Sequence, residues 1–112
     1  MPDLSNLSLN KLIAGIKKKD FSSEEVTKSF INNSEKAKKL NVYITKCFDE
    51  ALNAAKSFDK KGNYKGLLSG IPIGVKDLFC TKNVKTTAGS KILHNFTPTY
   101  ESTVTRKLWS EG

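Results

Sequence analysis

Few residues in this sequence have both the type and the setting for chemistry, and Lys76 stands first among them. It lies at the end of Leu68-Ser69-Gly70-Ile71-Pro72-Ile73-Gly74-Val75-Lys76-Asp77, the strongest short apolar run of the chain. A lysine takes up a proton only when it is neutral, which requires desolvation or cationic neighbours. The alternating Ile71, Ile73 and Val75 suit desolvation, whereas the adjacent Asp77 favours the charged ammonium. The plainer reading of Lys76 is a solvated strand terminator that snorkels to water. Local physics leaves both open. Gly70 and Gly74 inside the run mark places where something approaches the backbone closely.

The other candidates are weaker. Cys80 and His94, the only histidine, are the pieces of a thiol nucleophile and its base, but nothing in the sequence brings them together. Together with Cys47 they fit no metal-ligand spacing, and no C-x-x-C pair occurs. Reduced, inert thiols are the better reading. Ser-x-x-Lys appears at Ser8–Lys11 and Ser57–Lys60, as chance gives in so lysine-rich a chain. Ser8 reads as a helix cap and Ser57 as a helix-face residue. A G-x-S-x-G elbow, a phosphate loop and a dinucleotide fingerprint are absent.

A chain of 112 residues holds one small domain at most. Its net charge of +8 invites a nucleic-acid reading, but Arg106 is the only arginine. Base-edge readout and bidentate phosphate recognition favour arginine. The lysines are scattered or clustered on helix faces, at 17–19, 36–39 and 60–61, which reads as a solvated surface. The apolar length of a membrane span is missing, and Met1-Pro2-Asp3-Leu4 does not open a secretory signal. The expectation is a cytoplasmic protein with no membrane partner.

Lys76 must be positioned by an alternation of helices and strands. Leu9, Leu12, Ile13 and Ile16 follow helical spacing, predicting a helix over 9–19 with Ser8 as its N-cap. Ser22-Ser23-Glu24-Glu25 is a capping box, flanked by Phe21 and Val26 as a hydrophobic staple, and it opens a helix predicted over 22–39. Asn33 interrupts the apolar face of that helix, so it lies at the surface. A third helix is predicted over 48–61 with Gly62 beyond its end, and a fourth over 103–111 with Ser102 as cap and Val104, Leu108 and Trp109 facing inward. Strands are predicted over 41–45 and 71–76, the second buried. This order of elements is α/β. A buried strand needs neighbours on both sides, so the chain is expected to be the first part of a larger α/β domain.

Gly70-Ile71-Pro72-Ile73-Gly74-Val75-Lys76-Asp77 resembles the signature of the amidase signature family. The stretches Lys76–Lys82, Lys85–Leu93 and Phe96–Val104 extend the likeness toward the tRNA-dependent amidotransferase branch, and the opening helices share it. The resemblance covers nearly the whole chain. It implies the N-terminal portion of a single amidase domain over 1–112, a mixed sheet core covered by helices and incomplete in this chain. It also implies a Ser–cis-Ser–Lys triad in which Lys76 is the base. There Lys76 accepts a proton through the bridging serine, so that the nucleophilic serine attacks the side-chain amide of glutamine and ammonia is released.

In that branch the amidase component works in a heterotrimer with the B and C subunits. Ammonia converts Glu-tRNA(Gln) or Asp-tRNA(Asn) to the amidated form, and the aminoacyl-tRNA is held mainly by a partner. The resemblance implies no cofactor in this chain, with ATP and Mg used by the partner subunit. Both triad serines lie, in the family, downstream of Gly112, and Ser69, Ser90 and Ser102 match neither, so a chain ending there is expected to be inactive. The alternatives are another amidase-signature hydrolase of small amides and a small basic RNA-binding module.

Overall fold

The structure is a computed structural model that describes residues 3–112. Four helices carry it: α1 (Leu9–Lys18), α2 (Ser23–Lys36), α3 (Phe48–Lys61) and α4 (Thr103–Ser110), with short 3-10 turns at Leu4–Asn6 and Lys38–Leu40. Among the described residues there is no β-strand, only an isolated antiparallel bridge between Thr81 and Val84. The α/β class with a mixed sheet core is therefore corrected: the described chain is helical, joined by long irregular segments. The reason is non-local. Strands exist through partners, and residues 41–45 offer none, with Val42 and Ile44 each more than 60% exposed (67% and 63%). Residues 71–76 are irregular and pair with no strand.

The chain divides at Pro72–Ile73 into two units. In the first, Leu4, Leu12, Ile16 and Val26 form the buried core, with Leu7, Phe21, Phe58 and Ile71 packed against it. Local signals set the helix ends. Ser8 accepts from the Lys11 N–H, and Lys19 closes α1 in the left-handed conformation with Lys17 and Lys18 in the last turn, where the dipole favours cations. The capping box of α2 is formed in both directions between Ser22 and Glu25. Phe21 reaches the core across Gly15, where a Cβ would stand 2.1 Å from the ring. Leu9, expected on the inner face of α1, is half exposed instead.

A tertiary contact reinforces the same helix start. The Asp59 carboxylate, from the last turns of α3, accepts from the Ser23 N–H at 2.9 Å and the Glu24 N–H at 2.8 Å. A carboxylate across two free N–H groups satisfies donors that no helix can satisfy internally, and it also opposes the helix dipole. The Ser23 hydroxyl donates to the Gly70 carbonyl, tying the beginning of the signature segment to α2. Gly70 itself has φ +80°, and a Cβ there would lie 2.7 Å from the Phe58 ring. Glycine is required on both counts.

The helix predicted over 22–39 ends at Lys36. Ala37 leaves helical geometry, the chain tightens into the 3-10 turn, and Asn41 stops it in the left-handed conformation. Leu40, at 74% exposure, has nothing to pack against that would hold another turn. Asn33 is explained by its partners: its amide donates to Asp3 and Ser5. Asp3 also accepts from the Ser5 and Ser29 hydroxyls.

In the second unit, α4 is capped by Ser102, whose hydroxyl accepts from the Thr105 N–H. Its buried residue is Thr105, not the expected Val104 and Trp109, which are both about 40% exposed (41% and 43%). The Thr105 hydroxyl reaches the Cys80 carbonyl and the Glu101 carboxylate, and the Trp109 indole N–H donates to Glu101. A helix seated on hydrogen bonds turns its hydroxyl inward and leaves apolar neighbours outside.

Two outcomes test this packing. Val26→Ala removes a fully buried side chain from the core and is expected to cost about 2 kcal/mol, read from the denaturant midpoint at unchanged slope. Hydrogen bonds from Ser5, Ser29 and Asn33 lower the Asp3 carboxyl from its ordinary 3.8 to about 2. A depressed carboxyl stabilises the fold above its ordinary range and loses that contribution as the pH falls through the folded value. Asp3→Asn is therefore expected to reduce stability at neutral pH and to flatten the loss of stability between 3.8 and about 2. An unchanged acid limb would contradict it.

Candidate active site around Lys76

Lys76 lies in the second unit, at the end of the irregular stretch 73–76. Along that stretch Ile73 and Val75 are half-buried while Gly74 and Lys76 are exposed, so the alternation survives without a ladder. The chain then turns, with the Phe79 N–H donating to the Lys76 carbonyl at 3.1 Å. Of the two settings open to Lys76, the structure shows the solvated one: no strand pairs beside it among the described residues to dry the position. Among the described residues Lys76 makes no ion pair.

Asp77 faces elsewhere. Its carboxylate accepts from the Thr87 N–H at 2.9 Å and, at close range, from the Thr87 hydroxyl. The Ala88 N–H donates to the Asp77 carbonyl at 2.7 Å, and the Gly89 N–H to the Thr87 hydroxyl at 3.2 Å. Ala88 and Gly89 both have positive φ, 51° and 69°. Partial burial pushes the Asp77 carboxyl up, but the two Thr87 donors, the Gly89 N–H and the Lys85 charge outweigh it and leave it below its ordinary value.

Thr86, next in line, is also buried. It donates its hydroxyl to the Val84 carbonyl at 3.1 Å and its N–H to the Phe96 carbonyl at 3.0 Å. The Asn83 N–H reaches the Pro98 carbonyl at 2.9 Å, and the Ser102 N–H reaches the Cys80 carbonyl at 2.8 Å. These bonds fold residues 77–102 into a defined loop.

The remaining candidates are not assembled. Cys80 donates to Tyr100 at 3.5 Å, not to His94, and that bond pushes the Tyr100 hydroxyl up. Burial, with Glu50 nearby, raises the Cys47 thiol, which makes it a poorer nucleophile. Among the described residues no three His, Cys, Asp or Glu side chains are grouped as metal ligands. Ser69 closes a turn onto Gly66, Ser90 accepts from the Ile92 N–H, and Ser102 caps α4. Sequence reasoning misses the partnership of Asp77 with Thr87. Its one trace is the Ala88-Gly89 pair, where a turn demands left-handed residues just over ten positions beyond an acid.

Among the described residues no helix is long and apolar enough to cross a membrane. The family model described as Amidase matches residues 25–112. The chain is 60% identical over 112 residues, its whole length, to the A subunit of the glutamyl-tRNA(Gln) amidotransferase of Pelagibacter ubique. It is 49% identical over 115 aligned residues to the protein of that name from Hyphomonas neptunium, and 50% identical to that from Zymomonas mobilis. In each case it spans 23% of the relative's length. With most of its residues inside the family model, the chain belongs to the amidase family.

Proposed function

We propose that this chain is the N-terminal portion of a glutamine-hydrolysing amidotransferase subunit, and that Lys76 is the base of its Ser–cis-Ser–Lys triad. The observation that carries the reading is the 60% identity, over all 112 residues, to a relative named as the A subunit of glutamyl-tRNA(Gln) amidotransferase. Identity at that level over the whole chain favours this subunit over a small-amide hydrolase or a basic RNA-binding module. The ammonia it releases converts Glu-tRNA(Gln) to Gln-tRNA(Gln), or Asp-tRNA(Asn) to Asn-tRNA(Asn), in a cytoplasmic complex with the B and C subunits. ATP and Mg act at the partner subunit.

In this reading Lys76 must be neutral when glutamine is bound. It relays the proton of the nucleophilic serine through the bridging serine, and the serine attacks the amide carbon. The acyl-enzyme forms as the C–N bond breaks and ammonia leaves. The open setting of Lys76 and its lack of an ion pair among the described residues suit a group that the rest of a longer subunit covers and dries.

Substituting Lys76 in the full-length assembled enzyme tests this. Lys76→Ala is expected to lower the glutaminase kcat by at least about 100-fold while circular dichroism is unchanged. Lys76→Arg should be equally inactive, since a guanidinium keeps its proton. Near-normal turnover by either variant would remove Lys76 from the mechanism.

A further inference from the structure

A base that must be neutral is followed directly in the chain by a carboxylate, and opposite charge beside an ammonium favours its charged form. The loop geometry resolves this conflict. Both Thr87 donors engage the Asp77 carboxylate, one at 2.9 Å and one at close range, and the Asp77 carbonyl is bound by the Ala88 N–H at 2.7 Å. The charge is thereby turned onto the 87–89 turn. Thr87 is itself only 5% exposed, so its hydroxyl stays with the site rather than exchanging with bulk water.

We infer that Thr87 is a positioning residue for Lys76: it holds the Asp77 carboxylate away from the lysine amine, so that the neighbouring charge does not become its counter-ion. The charged group that acts on Asp77 is Lys85, which adds to its anchoring, while Lys76 is its neighbour in the chain. Asp77 is in no ion pair among the described residues, which is what a carboxylate committed to the turn requires. The inference rests on Lys76 acting as the base, and it deepens that reading by naming what keeps the base usable.

The test is the pH profile of glutaminase kcat in the full-length assembled enzyme. In Thr87→Val the methyl groups keep the shape while the hydroxyl is lost, and the carboxylate, left with the main-chain N–H of residue 87, can turn its released oxygen toward Lys76. The ascending limb of kcat is expected to move to higher pH by about one unit, with KM for glutamine within about twofold. Thr87→Ser keeps the hydroxyl and should retain the normal limb. Adding Asp77→Asn to Thr87→Val removes the charge and should bring the limb back.

Asp77→Asn alone gives an independent reading should Thr87→Val not fold. Because the charge is already turned away, its limb should stay near the normal position. A fall of about one unit or more would mean that the carboxylate was on Lys76 and would overturn the inference. So would an unshifted limb in folded Thr87→Val. In both cases an inactive Lys76→Ala leaves the proposed function standing, whereas an active Lys76→Ala overturns that reading itself.

Discussion

Between Lys76 and α4 no ladder collects the hydrogen-bonding groups of the backbone, so buried hydroxyls and one carboxylate collect them instead. Thr86, Thr87 and Thr105 are each at most 5% exposed, and each bonds main-chain or carboxylate oxygens. Leaving such groups unpaired would cost about 1–3 kcal/mol apiece, comparable to a large share of a domain's stability. The loop therefore has few ways to fold. The left-handed turn at Ala88 and Gly89 follows from this, because it brings three N–H groups to Asp77 and Thr87.

The first unit meets the same demand with helix ends. α2 begins at a Ser22–Glu25 box and is closed from outside by Asp59 of α3, so one terminus is satisfied by local and distant acceptors together. Behind it the core is small. It depends on close approach, with Phe21 against Gly15 and Phe58 against Gly70. The second of these places the start of the signature segment, because Gly70 also binds Ser23 through its carbonyl.

What can be read in the sequence divides along the same line. Ser8, Ser22 with Glu25, Gly62 and Ser102 announce helix ends because caps act over three or four residues. Whether a sheet forms is not legible in the same way, because alternation at 71–76 describes which side chains are covered and not whether a partner strand exists. Asp59 with Ser23, Asp3 with Asn33 and Asp77 with Thr87 lie 36, 30 and 10 residues apart, beyond any local pattern. Hydrophobic spacing gives the wrong inward face for α4 because it ignores a threonine that finds the Cys80 carbonyl. Lys76 is a candidate base through family resemblance, since its spacing and composition fit a solvated terminator equally well.

In the proposed mechanism a neutral amine at position 76 performs the proton transfer. Chemical rescue tests it most directly: full-length Lys76→Ala is assayed for glutaminase activity with methylamine across a range of pH. Activity is expected to rise in proportion to the free-base form of the amine at every pH. Activity that instead follows the protonated amine, or a Lys76→Ala enzyme that turns over normally without any amine, would contradict it.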